Sequence, residues 1–245
     1  MATLQGKSIV VVGGSSGIGF AVALASLQSQ AKSVIIASSN QAKVERGVER
    51  LKAYNLPGEI SGHVVDAMDS ASVKKFALDI GTVDHIVWSS GDNPGKTVNA
   101  KVETYEAGQG VFAVRFWGPF VLAQHAKFNP GGSLTLTSGL IGVKPWPGSH
   151  LAAGMLSSLD GLVRGLAVDL APVRVNLVNP GPIDTEIFDI MFGDQKKSAL
   201  EGLAAKSLLK RVGEPSEAAE AYLFLMKCGF ITGQRIDVEG GQVLM

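Results

Sequence analysis

The sequence has one cysteine and no excess of charge of either sign, and both shortages exclude classes of protein. Cys228 cannot form a disulfide within the chain, and no spacing of cysteine and histidine resembles a zinc site. We therefore expect a reduced, intracellular protein without a metal. The 22 basic side chains balance 22 acidic ones, so neither nucleic acid nor an anionic membrane is an expected partner.

Long hydrophobic runs are also missing. The start of the chain, MATLQGKSIVVVGG, has too short an apolar run for a signal peptide, and no stretch approaches about 18 uninterrupted apolar residues. We expect a cytoplasmic protein with no membrane contact. The 245 residues, 46% of them hydrophobic, suffice for one α/β core, and no repeat or linker divides them. We predict a single domain over residues 1–245.

Glycine, in contrast, is abundant. Thirty residues are glycine, well above the usual share of about 7%. Such an excess indicates many sharp turns or close approaches of the backbone to a ligand.

Short β-branched runs alternate with longer helical patterns along the whole chain. Most of these runs are apolar throughout, as in strands covered by helices on both sides. Strand followed by helix, repeated, predicts an α/β fold with a doubly wound parallel sheet of about seven strands and helices on both faces. The strands are predicted at 8–12, 33–37, 62–65, 85–89, 133–137, 173–178 and 235–238, and the helices at 17–30, 40–53, 70–80, 98–125, 150–171, 195–208 and 215–227.

A cluster of glycines follows the first predicted strand directly and opens an apolar helix. A turn without side chains lets the backbone approach a pyrophosphate, whose charge is stabilised by free N–H groups and by the helix dipole. This context predicts a dinucleotide site, with a merely tight turn as the alternative. The residues expected to bind the cofactor are Gly13, Ser15, Ser16, Gly17, Ile18 and Gly19.

The end of the second predicted strand bears on which dinucleotide binds. An acidic residue there usually binds the ribose 2′-hydroxyl and repels a 2′-phosphate. This chain has Ser38, Ser39 and Asn40, with Lys43 one turn further on. We therefore predict NADP(H) as the cofactor, although Ser39 and Asn40 also suit a helix start. Asp66, followed by Ala67, is expected to contact the adenine or to cap the next helix.

Several separate stretches resemble the short-chain dehydrogenase/reductase superfamily, from about Leu4 to Leu244. The resemblance implies a Rossmann-like single domain, a nicotinamide cofactor and a homo-oligomer, either dimer or tetramer. It assigns further cofactor contacts to Ser89, Ser90, Gly91, Pro180, Gly181, Ile183 and Thr185. The matching stretches are the glycine turn at 13–19, SSG at 89–91, LTS at 136–138, NPGPIDT at 179–185, ITGQ at 231–234 and EGG at 239–241.

One departure from the family lies where its members carry Tyr-x-x-x-Lys, in which the tyrosine protonates the carbonyl oxygen. The only tyrosines are Tyr54, Tyr105 and Tyr222, and none is followed by lysine four residues later. The predicted helix at 150–171 contains neither tyrosine nor lysine. We infer that the usual acid is gone.

Three residues are candidates for the remaining chemistry. Ser138 stands where the family has its catalytic serine. His150 is the best remaining acid, since imidazole donates a proton near neutral pH, but it is equally suited to capping a helix. Arg115 stands where the family has an asparagine, and its guanidinium could hold an oxyanion, a carboxylate or a cofactor phosphate, or pair with a nearby acid. Asp92 and Asn93 lie near the nicotinamide end or cap a turn.

The missing acid favours a substrate that needs none. A reduced ketone must gain a proton, whereas a reduced iminium becomes a neutral amine. Arg115 disfavours an iminium unless the substrate also carries an acidic or amide group. The leading hypothesis is an atypical NADP(H)-dependent oxidoreductase that reduces C=N or C=O in an apolar or heterocyclic small molecule, in secondary metabolism.

Two other functions remain open at this point. One is a cyclase or pericyclase that keeps NADP(H) as a scaffold or coupled reductant. The other is a non-catalytic NADP(H)-binding sensor. In the enzyme hypotheses the region at about 185–212 forms a substrate lid with Phe188, Met191 and Phe192 on its inner face, and Trp146 forms an aromatic wall.

Overall fold

In the residues that the computed structural model describes, namely 3–91, 98, 102 and 104–245, seven parallel strands form one sheet. The strands are β1 (Ser8–Val12), β2 (Ser33–Ser38), β3 (Glu59–Val64), β4 (Thr82–Trp88), β5 (Lys127–Thr137), β6 (Arg174–Pro180) and β7 (Arg235–Val238). Their order in the sheet is β3-β2-β1-β4-β5-β6-β7, and every neighbouring pair is parallel. This confirms the predicted doubly wound sheet, with its switch of direction between β1 and β4.

Three strands begin earlier than the pattern predicts. β3 begins at Glu59 rather than at 62, β4 at Thr82 rather than at 85, and β5 at Lys127 rather than at 133. The early part of β5 contains Pro130, Gly131 and Gly132, which are typical of a turn. Gly131 has φ +81°, and the pairing of β5 with β4 shifts register between Val83 and His85. The first part of β5 is therefore an irregular strand, and its proline and glycines explain why the sequence pattern does not predict it.

The described helices lie on both faces of this sheet. They are α1 (Gly17–Gln28), α2 (Gln41–Lys52), α3 (Ser70–Asp79), α4 (Tyr105–Gln109), α5 (Gly118–His125), α6 (His150–Asp169), α7 (Glu186–Phe192), α8 (Lys196–Ala205) and α9 (Pro215–Lys227). The region at about 185–212, which is predicted to be a lid, holds two helices: α7, and α8 as a shorter version of the helix predicted at 195–208.

The single helix predicted at 98–125 is wrong. Its described part consists of α4, a 3₁₀ turn, a π-helical turn at Ala113–Trp117, and α5. Pro119 has no N–H to bond the carbonyl four residues earlier, and Trp88 Nε1 donates to the carbonyl of Val114 at 2.9 Å. The Trp88 ring also packs on Gly118, where a Cβ would lie 2.5 Å from Cζ2. These contacts interrupt the helix and place Arg115 within the π-helical turn.

The alternation of side chains along β1 explains why both faces are covered. Val10 and Val12 are buried in a cluster with α3, α5 and α6, while Ile9 and Val11 are buried in a second cluster with α1 and α9. All four are at most 1% exposed. A strand that is apolar on both faces is stable only with helices on both sides, and this arrangement leaves the strand ends open for ligands.

One helix, α6, is long and apolar enough to cross a membrane by length and composition alone. Six of its residues, at helical spacing, are buried against the rest of the fold: Ala152, Met155, Leu156, Leu159, Val163 and Leu166. Packing on the sheet accounts for that apolar character.

Candidate active site

A cavity of about 510 Å³ lies at the carboxyl edge of the sheet. The carboxyl ends of parallel strands meet at this edge, so loops that are far apart in sequence surround one space. The cavity reaches the ends of β1, β2, β4, β5 and β6, together with α6, α7, α8 and the C-terminal turn. Its lining includes most of the predicted cofactor residues: Gly13, Ser15, Ser16, Gly17, Ile18, Gly19, Ser38, Ser39, Ser89, Ser90, Gly91, Pro180, Gly181, Ile183 and Thr185.

The glycine turn after β1 is a cradle that side chains would fill. A Cβ on Gly19 would lie 2.2 Å from the carbonyl oxygen of Gly13, and a Cβ on Gly13 would lie 2.6 Å from the nitrogen of Ser90. Gly17 has φ +54°, which L side chains rarely adopt. The bare backbone and the N-terminus of α1 therefore suit a pyrophosphate.

The end of β2 forms the polar extremity of the cavity. Ser38, Ser39 and Lys43 line it. Asn40 does not, because its Oδ1 accepts from the backbone N–H of Lys43 at 3.0 Å and caps α2. This outcome matches the helix-start alternative for Asn40 and adds Lys43 to the site.

Asp66 and Ala67, after β3, do not line the cavity. The Oδ1 atom of Asp66 accepts from the N–H of Met68 at 2.9 Å, and its own N–H donates to Ser72 Oγ at 3.0 Å. These contacts stabilise the turn before α3. An adenine contact for this pair stays a prediction that the geometry does not favour.

The opposite end of the cavity is formed by the loops after β4 and β6. The N–H of Ser89 donates to the carbonyl of Val12 at 2.8 Å, and its Oγ donates to the same carbonyl at 3.0 Å. Gly181 packs against Glu239, where a Cβ would lie 2.7 Å from its Cα. The SSG and NPGPIDT stretches are thereby brought to one end of the cavity. Asp92 and Asn93 lie outside the described residues.

Ser138 is held at the end of β5, beside the cavity. Its N–H donates to the carbonyl of Val178 at 2.9 Å, and its Oγ donates to the carbonyl of Leu156 on α6 at 3.1 Å. The residue is only 5% exposed. A buried hydroxyl that lines a cavity can exchange its backbone acceptor for a polar substrate atom.

Arg115 lies between the ends of β4 and β5. Its guanidinium packs directly on Gly91, where a Cβ would lie 2.1 Å from Nη2, and Nη1 donates to the carbonyl of Thr137 at 3.3 Å. Arg115 and Ser138 both line the cavity. Two of the three candidates for the chemistry therefore face the same space.

His150, the third candidate, lies elsewhere. It is the first residue of α6, is exposed, and is not among the residues that line the cavity. Its proposed role as an acid stays a prediction that its position does not support. The capping alternative is not met either, because Ser149 is the N-cap of α6 and His150 follows it.

None of the three tyrosines lines the cavity. Tyr54 and Tyr105 are 52% and 77% exposed, whereas Tyr222 is fully buried on α9. The hydroxyl of Tyr222 lies 2.8 Å from Thr137 Oγ1, and burial raises its pKa. Tyr222 is therefore a structural residue beneath the sheet.

Apolar side chains form the remaining walls. The predicted residues Trp146, Phe188, Met191 and Phe192 all line the cavity, and the Phe188 and Phe192 rings stack with centroids 5.8 Å apart. The sequence analysis missed several others: Leu140, Ile141, Ala152, Met155, Leu156, Ile187, Leu203 and Gln242. The spacing of 152, 155 and 156 marks one helix face and could have revealed those three, whereas nothing local distinguishes Gln242.

Residues 2–245 match the family model described as "SDR-like rossmann domain". The chain belongs to the short-chain dehydrogenase/reductase superfamily. Among its relatives, ATR9 of Stachybotrys chlorohalonatus is 37% identical over the whole of both chains. The short-chain dehydrogenase/reductase malC of Malbranchea aurantiaca is 34% identical over 98% of this chain and 96% of its own.

Solved structures agree with this assignment. The structure titled MalC Reductase/Diels-Alderase, from Malbranchea aurantiaca, superposes with a TM-score of 0.91 at 32% identity, covering 99% of this chain and 98% of the other. A small-chain dehydrogenase in complex with NADPH superposes with a TM-score of 0.79 at 28% identity, covering 98% and 100%. These relatives support an enzyme of the short-chain dehydrogenase/reductase type. The superfamily fold binds a nicotinamide cofactor, and the glycine turn of this chain fits one.

Proposed function

We propose that the protein is an NADP(H)-dependent reductase of secondary metabolism that acts on a C=N or C=O group in an apolar or heterocyclic small molecule. One observation carries this proposal. A single cavity joins the glycine turn to a chamber walled by Trp146, Phe188 and Phe192, and Ser138 and Arg115 also line it. A space of this shape suits a dinucleotide and an organic substrate placed end to end.

The preference for NADP(H) rests on the end of β2. The lining there consists of two serine hydroxyls and the ammonium of Lys43. No residue between 37 and 43 carries a carboxylate, so nothing there repels a 2′-phosphate. The NADPH-bound relative supports the same choice. Calorimetric titration of NADP⁺ and NAD⁺ tests it, and tighter binding of NAD⁺ would contradict it.

The acceptor we favour is C=N in a substrate that also carries a carbonyl or carboxylate oxygen. When bound, the cofactor supplies hydride. Reduction of an iminium needs no proton donor, which agrees with a cavity that no tyrosine lines. The guanidinium of Arg115 would hold the substrate oxygen, and Ser138 Oγ would donate a second hydrogen bond to it. The two donors would orient the acceptor, and the aromatic walls would exclude water.

The test is loss of reduced-nicotinamide absorbance with NADPH and a panel of bulky substrates. The panel pairs each cyclic imine that bears an amide, protonated to the iminium at the assay pH, with the ketone of the same shape. We expect turnover of imines in preference to ketones. Inactivity across imines and ketones alike would count against a reductase, even if NADPH binds.

A second function is favoured by one comparison. The printed title of the MalC structure names a reductase and a Diels-Alderase. The same apolar chamber could hold a reduced product in a folded conformation that closes a ring. Product analysis at one equivalent of NADPH distinguishes the possibilities, because a pure cyclase forms its ring without consuming NADPH.

A further inference from the structure

The lid contacts the glycine turn through a carboxylate. Glu186, the first residue of α7, accepts through Oε2 from the backbone N–H of Gly17 at 2.9 Å. Gly17 is the first residue of α1, and the N–H groups of a first helical turn have no partner within the helix. Thr185 lies against the same glycine, since a Cβ there would be 3.3 Å from Thr185 Cγ2.

This N–H lies in the cradle that suits a pyrophosphate. A carboxylate and a phosphate oxygen are both anions that seek helix N-terminal donors, and one N–H cannot serve both at full strength. Two negative groups at this distance from one donor also repel each other. The carboxylate of Glu186 and a dinucleotide therefore compete for the same place.

A second partner for Glu186 lies beside it. Arg50 Nη1 is 3.9 Å from Glu186 Oε1, and the guanidinium of Arg50 lies over the Phe20 ring, 4.0 Å from its centroid. Arg50 stands at the end of α2, away from the glycine turn in sequence. It can hold the carboxylate after the contact with Gly17 breaks, so displacement does not leave an unpaired charge.

The same helix carries the chamber wall. Phe188, Met191 and Phe192 line the cavity from α7, within two helical turns after Glu186. Because α7 has only seven residues, a movement of its first residue moves the aromatic side chains with it. The contact at Gly17 thus links the cofactor end of the cavity to the substrate end.

We propose that Glu186 is an internal competitor for the dinucleotide pyrophosphate, and that cofactor binding shifts the lid by displacing it. This inference rests on the proposed function, since it needs a dinucleotide in the glycine turn. It assigns Glu186 as a positioning residue that acts through α7.

The test compares NADP⁺ binding by calorimetry in three proteins. In Glu186→Gln the negative charge is gone, so we expect the Kd for NADP⁺ to fall roughly two- to fivefold, as for one exposed charge contact. Glu201→Gln is the matched control, because Glu201 is an exposed carboxylate on α8 and its removal changes the net charge equally. We expect its Kd to equal that of the wild type, and the gain in Glu186→Gln to shrink at high salt.

Thermal unfolding shows whether each variant folds. If Glu186→Gln does not fold, Glu186→Asp replaces it, because the shorter side chain keeps the charge but cannot reach Gly17. A smaller gain in affinity is then expected. Unchanged or weaker NADP⁺ binding in the folded variant would overturn the inference while leaving the proposed function intact. No binding of NADP⁺ or NAD⁺ by the wild type would overturn the proposed function itself.

Discussion

Replacing Arg115 with glutamine removes the cation from the wall of the cavity while keeping a hydrogen-bond donor. In the proposed complex the guanidinium holds a substrate oxygen. A hydrogen bond to a charged group contributes about 1.5–3 kcal/mol, which corresponds to roughly a 10- to 150-fold fall in kcat/KM for a substrate that carries the oxygen. The contact with the Thr137 carbonyl is long, at 3.3 Å, so that contact by itself contributes about 1 kcal/mol or less to stability.

The assay uses two cyclic imines, both protonated to the iminium at the assay pH, that differ only in one group. One bears an exocyclic amide, and the other bears a methyl group in its place. Arg115→Gln should lower kcat/KM for the amide alone, and turnover of the methyl compound should stay the same or rise because repulsion between two cations is relieved. Arg115→Lys keeps the charge without the planar fork and should restore part of the activity.

Equal losses for the two imines would refute this reasoning. That result would mean that Arg115 stabilises the π-helical turn or the cofactor site rather than the substrate. The affinity for NADP⁺, measured on the same variants, distinguishes between those two roles.

Four further predictions concern the cofactor, the core and the assembly. Gly19→Ala should weaken NADP⁺ binding at least tenfold and lower stability by about 1–3 kcal/mol, because its Cβ would overlap the Gly13 carbonyl; Gly154→Ala, where a Cβ meets nothing within 4 Å, is the control and should be neutral or stabilising by calorimetry and thermal unfolding. Ser39→Asp should lower the ratio of NADP⁺ to NAD⁺ affinity at least tenfold, and an unchanged ratio would contradict the specificity proposal. Burial and the charge of Arg174 lower the pKa of His85 to about 4, so stability should be full above about pH 6.5 and fall by up to about 3 kcal/mol as the pH drops towards 4; urea unfolding of His85→Gln should lack that fall. Light scattering should give a dimer or tetramer, and a monomeric mass would contradict that proposal.

Most of the fold was predictable because its signals are local. Runs such as 8–12 are apolar on both faces, and the helices between them repeat at helical spacing. The glycine turn was predictable for the same reason, since strand, glycines and helix are contiguous. The helix predicted at 98–125 is wrong because the side chain that interrupts it, Trp88, lies outside that segment, on β4. Asn40 caps α2, and its role as a cofactor contact stays a prediction, because capping and ligand binding favour the same residue types.

Local patterns in the chain are enough to define the doubly wound sheet, the glycine turn and the absence of a Tyr-x-x-x-Lys pattern, because each depends on neighbours within a few residues. The set of side chains that line the cavity could not be predicted in this way. His150 lies outside it, Gln242 and Met155 lie inside it, and Glu186 contacts Gly17 from 169 residues away. The packing of elements that are distant in sequence decides which side chains line the same cavity. The periodicity of the sequence does not reveal which of these elements are close in space.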